Sequence, residues 1–234
     1  MEQLYLEDCY LTEFDAVVKS IKDDKYVVLN KTAFYPNSGG QPSDTGVLIH
    51  NDQEYPVAFV GKIDGIVSHE ISVPGLKPGD KIKGIIDWDK RYNLMKYHTA
   101  SHILSAIIHN ETDALISGNQ IGKDKTRIDF SLEDFDRELI KSYEAKVNDV
   151  IDRKLPVKIE IMPRDKALNI PTVVKLKDAF PPDISEIRVI TIQDIDQQAC
   201  GGTHVANTSE IPHIDIFKTE NKGKNNRRIH FKFV

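Results

Sequence analysis

The sequence predicts an α+β protein in two parts: a small β-barrel over residues 1–88, then an α+β domain over 89–234 with helices packed on a mostly antiparallel sheet. Three observations carry this. Residues 1–88 hold short alternating or apolar runs broken by turn residues, without a helical period. At residue 89 the period changes to that of a helix. After that helix, strand-like runs and one long helical stripe follow each other to the end of the chain.

In the first part the runs lie at 14–21, 26–29, 47–49, 57–60, 66–71 and 82–86. Lys22-Asp23-Asp24, Asn51-Asp52, Asp64-Gly65 and the stretch from Pro74-Gly75 to Pro78-Gly79-Asp80 supply turns between them. Many short strands so spaced suggest closure into a barrel. Between the second and third runs, Thr32 opens a segment dense in Gly, Pro, Ser, Asn and Gln that ends at Gly46. A Gly-Gly pair alone reads as an ordinary hairpin connection. The polar density beside Phe34-Tyr35 suggests instead a loop shaped against a substrate.

Asp89 is the expected N-cap of the next element, a helix that carries His98-Thr99-Ala100-Ser101-His102. Residues four apart lie about 40° from each other around a helix, so both imidazoles leave one face. Ala100, Ile103, Leu104 and Ile107 point away from them, while Arg91, Leu94, Met95, Ser101 and Ser105 share or flank their stripe. One side is therefore expected to face the core and the other to carry working groups. Two helix-surface histidines would be the bland alternative, since this spacing arises by chance in roughly one such chain in four. The odds change with Cys200-Gly201-Gly202-Thr203-His204, because both patterns together arise in only about one chain in fifty or sixty. Two glycines between the ligands are expected to let the backbone turn tightly and approach a ligand. A thiolate with imidazoles is the usual zinc set.

Arg127-Ile128-Asp129-Phe130 reads as a strand, and Ser131 as the N-cap of a helix with Glu133 and Asp134 in its first turn. Phe135, Leu139, Tyr143, Val147 and Ile151 form its core stripe, which must stop before Pro156. Val157, Ile159 and Ile161 alternate as a strand, a short helix is expected at 165–168, and strands at 188–192, 214–217 and 229–233.

Composition narrows the function classes. With 40% hydrophobic and 29% charged residues in 234, this is an ordinary soluble chain. No run reaches transmembrane length, and Met1-Glu2-Gln3-Leu4 has no signal-peptide character. Cys9 and Cys200 are too few for a disulfide framework, which fits a reducing cytoplasm. A net charge of −5 argues against binding polyanions over the whole surface. After residue 217, however, Lys218, Lys222, Lys224, Arg227, Arg228 and Lys232 face only Glu220, and Lys81, Lys83, Lys90, Arg91 and Lys96 flank the first histidine pair. Such runs are solvated surface by default, with RNA contact as the alternative.

Four stretches together resemble the alanyl-tRNA editing family, which comprises free-standing trans-editing proteins and the editing domain of alanyl-tRNA synthetase. They are the SGGQPSDTG segment at 38–46, HTASH at 98–102, RIDF at 127–130, and CGGTH at 200–204 with Asn207-Thr208-Ser209-Glu210-Ile211. Their order and spacing agree across nearly the whole chain, and Asn148 also falls into place. The barrel, without a long C-terminal extension, resembles the medium-length class. Ser38 stands where many members have glycine, and 224–227 replaces a more glycine-rich loop.

The resemblance implies hydrolysis of the ester joining a wrong amino acid to the acceptor end of tRNA for alanine. Serine is the chief target and glycine a second. It implies Zn²⁺ held by His98, His102, Cys200 and His204. Thr32 becomes the expected partner of the seryl hydroxyl, and Gln41 the group that orients substrate or water. Gly39 and Gly40 line the substrate, and Arg227 and Arg228 are candidate tRNA contacts from the basic stretch. The expected protein is a cytoplasmic monomer that works in trans, with no aminoacylation domain, no membrane and no obligate protein partner. Two rivals are editing of another mischarged tRNA, as in the threonyl-tRNA synthetase editing domain, and a zinc-stabilised RNA-binding module without catalysis. The Gly-Gly-Gln segment favours the alanine system over the first.

Overall fold

Period-two alternation closes on itself in the first of two compact units, Met1–Met95; the second is Lys96–Val234. The computed structural model describes residues 1–133, 136–174 and 184–234. The first unit contains β1 (Glu2–Gln3), β2 (Glu13–Lys22), β3 (Tyr26–Leu29), β4 (Lys31–Thr32), β5 (Gly46–His50), β6 (Gln53–Ile63), β7 (Ile66–Ile71) and β8 (Lys81–Ile86). Six of them form a closed barrel in the order β2-β3-β7-β6-β5-β8, with every pairing antiparallel. The predicted runs are all there. Only the two-residue β1 and β4, which pair with each other in parallel, left no pattern to read.

The register follows from one-sided burial. Phe14, Ala16 and Val18 on β2 face the core with Val27, Leu29, Leu48, Val57, Val60, Val67, Ile71 and Ile82. A slip of one residue would turn such a set outward. The hairpin loops fix it further. Asp23-Asp24, Asn51-Asp52 and Asp64-Gly65 all have positive φ at both positions, the twist-matched two-residue turn that favours these residue types.

Helix α1 (Trp88–Thr112) follows, with residues 88–95 in the first unit and the rest in the second. Its cap is Asp87, not Asp89. The Asp87 carboxylate accepts from the Lys90 amide at 3.2 Å, and Asp89 lies inside the first turn. Nor is the helix two-faced as expected, since every residue from Tyr97 to Ala106 is buried. Small polar residues make that tolerable by bonding locally, as Ser101 does in donating to the Tyr97 carbonyl at 2.7 Å.

The second unit continues with β9 (Ile116–Ile121), β10 (Thr126–Phe130), α2 (Arg137–Asp152), β11 (Val157–Pro163), α3 (Arg164–Ala167), α4 (Pro171–Val174), β12 (Glu186–Ile192), β13 (Asp196–Ala199), β14 (Ile214–Asn221) and β15 (Arg227–Phe233). Its strands form two antiparallel sheets, β14-β15-β10-β9 and β11-β12-β13. The N-cap of α2 is Asp136, whose side chain accepts from the Leu139 amide at 2.6 Å. Ser131 instead accepts from the Leu115 amide at 2.8 Å. Asp134 and Phe135 lie outside the described residues. Tyr143, Val147, Val150 and Ile151 form the buried stripe of α2. On another side, Asn148 brackets Ile214, donating to its carbonyl at 3.1 Å and accepting from its amide at 2.8 Å. β14 is an edge strand, and Asn148 satisfies backbone groups that no neighbouring strand reaches.

Candidate metal centre

Helix α1 places His98 and His102 on adjacent turns, and the loop after β13 brings Cys200 and His204 to meet them. One donor atom from each lies within 4.8 Å of the other three. Cys200 Sγ is 3.6 Å from His98 Nε2 and 3.5 Å from His204 Nε2. A tetrahedral zinc with Zn–S near 2.3 Å and Zn–N near 2.0–2.1 Å requires an S···N edge of about 3.5 Å. These two edges have that length, so the cluster could hold a metal ion with the dimensions of zinc.

The outer atoms of the ligands are tied as well. His102 Nδ1 is 2.9 Å from the Asp196 carboxylate, which also accepts from Gln198 Nε2 at 2.7 Å. A carboxylate can only accept, so Nδ1 carries the proton and Nε2 is left to ligate. His204 Nδ1 lies 3.1 Å from Thr99 Oγ1, a hydroxyl that also accepts from the Val205 amide at 3.3 Å. Arg188, on β12, donates to the carbonyls of Cys200 and Gly202 at 2.5 and 2.8 Å and braces the turn from its backbone side. Neither Gly201 nor Gly202 has a positive φ, contrary to the expectation that glycine is needed for a tight turn. A Cβ at Gly201 would meet nothing within 4 Å beyond its chain neighbours, so neither φ nor space demands glycine at that position.

The charges of the cluster favour the ligating form at Cys200 and His204 and oppose it at His102. Desolvation is the largest single influence on Cys200 and opposes ionisation, yet the neighbouring imidazoles hold the thiol well below its ordinary value. The Gly202 amide, 3.4 Å from the sulfur, adds a further donor. For His102, desolvation disfavours the imidazolium, but Asp196 and Cys200 together push it up to about 10. Desolvation and the charge of His98 push His204 well below its usual value. A metal entering this cluster therefore displaces a proton from His102, and its affinity falls as pH falls.

The first unit holds the other candidates. Ser38 and Gln41 exchange backbone hydrogen bonds of 3.1 and 2.9 Å around Gly39 (φ +57°) and Gly40 (φ +82°). The glycines are thus the centre of a two-residue hairpin turn that demands left-handed φ twice. Thr32 and Gln41 are both fully buried. Thr32 Oγ1 lies 2.8 Å from His69 Nε2 and accepts from the Phe34 amide at 3.1 Å. Asp44, in the same segment, accepts from the Tyr35 amide at 2.6 Å and pairs with Arg91 through Nε and Nη2. Arg91 also donates to the Cys9 and Ala33 carbonyls at 3.0 and 2.6 Å. This pair, fully buried on both sides, holds the glycine-rich segment to the start of α1.

Arg227 and Arg228 have partners within the chain. Arg227 bonds Asn221 and the carbonyls of Gly223 and Glu133, which folds the β14–β15 turn. Arg228 grips Asp129 with two bonds of 2.6 and 2.8 Å. Asn207 and Glu210 form a capping box on a single 3₁₀ turn, Thr208–Glu210. Sequence reasoning missed Thr99, Arg188, Asp196, Gln198 and His69 as supports. A signal existed for His69: it takes the inward position between Val67 and Ile71 on β7, where an apolar residue is the rule.

The chain resembles known proteins along its whole length. The family described as "Threonyl and Alanyl tRNA synthetase second additional domain" matches residues 187–230, the stretch with Arg188, Cys200 and His204. The family described as "tRNA synthetases class II (A)" matches residues 8–90. The chain is 49% identical to the alanyl-tRNA editing protein AlaX-M of Methanosarcina acetivorans, over 100% of this chain and 99% of that protein. It is 37% identical to AlaX-L of Pyrococcus horikoshii, over 99% of this chain and 57% of that protein. Similarity extends to the alanine–tRNA ligase of Pyrococcus abyssi, at 36% identity over 93% of this chain and 24% of that protein.

Proposed function

Because the chain belongs to the alanyl-tRNA editing protein family, we propose that it is an aminoacyl-tRNA deacylase acting in trans on mischarged tRNA for alanine. Seryl-tRNA is its first substrate and glycyl-tRNA its second. The observation that carries this reading is the convergence of His98, His102, Cys200 and His204 within 4.8 Å, with the Cys200–His98 and Cys200–His204 edges at the length of a tetrahedral zinc site. Zinc held there would supply a Lewis acid that polarises or positions the ester.

The chain's own residues have separate tasks. Asp196 and Thr99 hold the rings of His102 and His204 so that each Nε2 faces inward. Gln41 orients substrate or water. Thr32 contacts the seryl hydroxyl. Its full burial requires that the acyl group displace whatever covers that hydroxyl, and the contact then forms without competing water. A separate editing site is useful because an alanine pocket cannot strongly reject a near-isostere that only adds a hydroxyl. No steric filter admits serine and excludes the smaller alanine, so discrimination between those two comes from a polar partner that serine satisfies and alanine does not.

The deciding experiment incubates purified protein with seryl-, glycyl- and alanyl-esters of tRNA for alanine. Rapid release of serine with alanine retained is the expected result. A closed set of four protein ligands also suits a structural metal, which favours one alternative, an RNA-binding module without catalysis. Binding of all three esters without hydrolysis of any would establish that alternative.

A further inference from the structure

In the first unit a hydrogen-bonded chain runs in only one direction. The Val27 carbonyl lies 2.9 Å from His69 Nδ1 and can only accept, so Nδ1 carries a proton. Desolvation pushes His69 down to about 4, against the opposing effect of the Val27 bond, so at neutral pH the ring holds one proton and Nε2 is a bare acceptor. The Thr32 hydroxyl, 2.8 Å away, must then donate to Nε2. The Phe34 amide donates into the same oxygen at 3.1 Å. Among the described residues, one lone pair of Thr32 Oγ1 is left without a partner. The His69 ring is fixed in place, fully buried and edge-on to Phe34 with centroids 5.4 Å apart.

We propose that His69 is a positioning residue that sets the polarity of Thr32, so that the hydroxyl presents an acyl side chain with an acceptor and no donor. This rests on the reading of Thr32 as the contact for the seryl hydroxyl. Its consequence is chemical. A seryl hydroxyl can donate into the remaining lone pair, whereas an alanyl methyl or a glycyl hydrogen cannot. Because the Thr32 proton is already used, an alanyl ester leaves one lone pair empty and orphans no donor, which is the cheaper defect. The contact should therefore favour serine about tenfold, at the lower end of what a lost buried hydrogen bond supplies. Without His69 the hydroxyl rotates freely and its preference for a donor falls.

The test combines spectroscopy with kinetics. ¹⁵N NMR of the whole protein should show His69 protonated at Nδ1 and bare at Nε2, and a proton on Nε2 overturns the proposal directly. His69→Phe keeps a ring against Phe34 but has no nitrogens. It should keep the metal and lower the seryl-to-alanyl ratio of kcat/KM by a measurable part of that factor of about ten, less than Thr32→Val does. His69→Gln, whose amide can donate to Val27 and accept from Thr32, should restore the ratio. In a Thr32→Val background, His69→Phe should change the ratio no further. If Thr32→Val lowers the ratio and neither His69 variant does, His69 has no part in specificity. An unchanged ratio in Thr32→Val itself removes the underlying reading of Thr32, and the specificity role of His69 falls with it. Should His69→Phe fail to fold, the Gln variant and the NMR assignment still decide.

Discussion

Two buried polar clusters in this molecule are satisfied in opposite senses. Around Arg91 every polar group meets its complement: the guanidinium donates to Asp44 and to the Cys9 and Ala33 carbonyls, and Asp44 also accepts from the Tyr35 amide. Around Cys200 the order is reversed. Asp196 and Thr99 tie the outer nitrogens of His102 and His204, while four electron-pair donors face one another across less than 4.8 Å. The first cluster is complete without a ligand; the second brings a thiolate and three imidazoles to one point, the donor set of a zinc site. Burial of polar residues is common to both, so burial alone does not mark a site. Convergence of like donors does.

The sharpest break of this comparison is metal removal. Purified protein should carry about one zinc per chain, and Cys200→Ala or His102→Ala should lose most of it and abolish deacylation. The variants should stay folded, because the barrel and the sheets have apolar cores of their own. Elemental analysis with full zinc in both variants would take these residues out of the site.

Asp44→Ala tests the other cluster, leaving Arg91 buried without its counter-charge at an expected stability cost of about 3–5 kcal/mol. Arg228→Ala is the control. Its partner Asp129 lies nearer water, with side-chain exposures of 19% and 11%, so the loss should be about 1 kcal/mol. Urea denaturation measures both, and equal costs would mean that burial does not separate the two pairs.

These clusters also show where sequence reading stops. His98 and His102 were legible because one turn of helix fixes their relation, and Cys200 and His204 because they too lie four apart. Asp196 reaches His102 across 94 positions in sequence, and no local period encodes such a contact. The barrel strands were legible because Phe14, Ala16 and Val18 alternate with outward residues. β9 was not: it is an edge strand of polar composition whose one buried residue is Ile121. Helix starts were misplaced by a few residues because several capping residues stood close together. Asp87 competed with Asp89, and Asp136 with Ser131.

Acid titration should separate the two units. His69 has its folded value pushed down to about 4, below the ordinary 6.5, so between those values the unfolded chain binds the extra proton. Stability from this group is present above about 6.5 and falls as pH drops towards 4, by about 3 kcal/mol in all. His69→Phe should flatten that part of the stability curve. A wild-type and variant difference that stays constant from pH 7 to 4.5 would mean that His69 titrates normally.

The smallest effect is expected on the surface, where the basic end of the chain is less available to RNA than its composition suggests. Lys218 and Lys222 lie 2.8 and 3.7 Å from Glu220, Lys232 lies 3.5 Å from Asp215, and Arg228 is held by Asp129. Lys224, exposed in the β14–β15 turn, has no ion pair among the described residues. A phosphate contact made by one lysine shifts the dependence of log K on log salt by about one unit of slope. Lys224→Glu should therefore weaken tRNA binding uniformly across sequences and reduce that slope by about one, with metal content unchanged. Arg228→Ala should affect stability more than the slope, since its charge is already compensated. Binding isotherms at several salt concentrations distinguish the two. An unaltered slope in Lys224→Glu would assign the turn to solvent and move the RNA contact elsewhere on the chain.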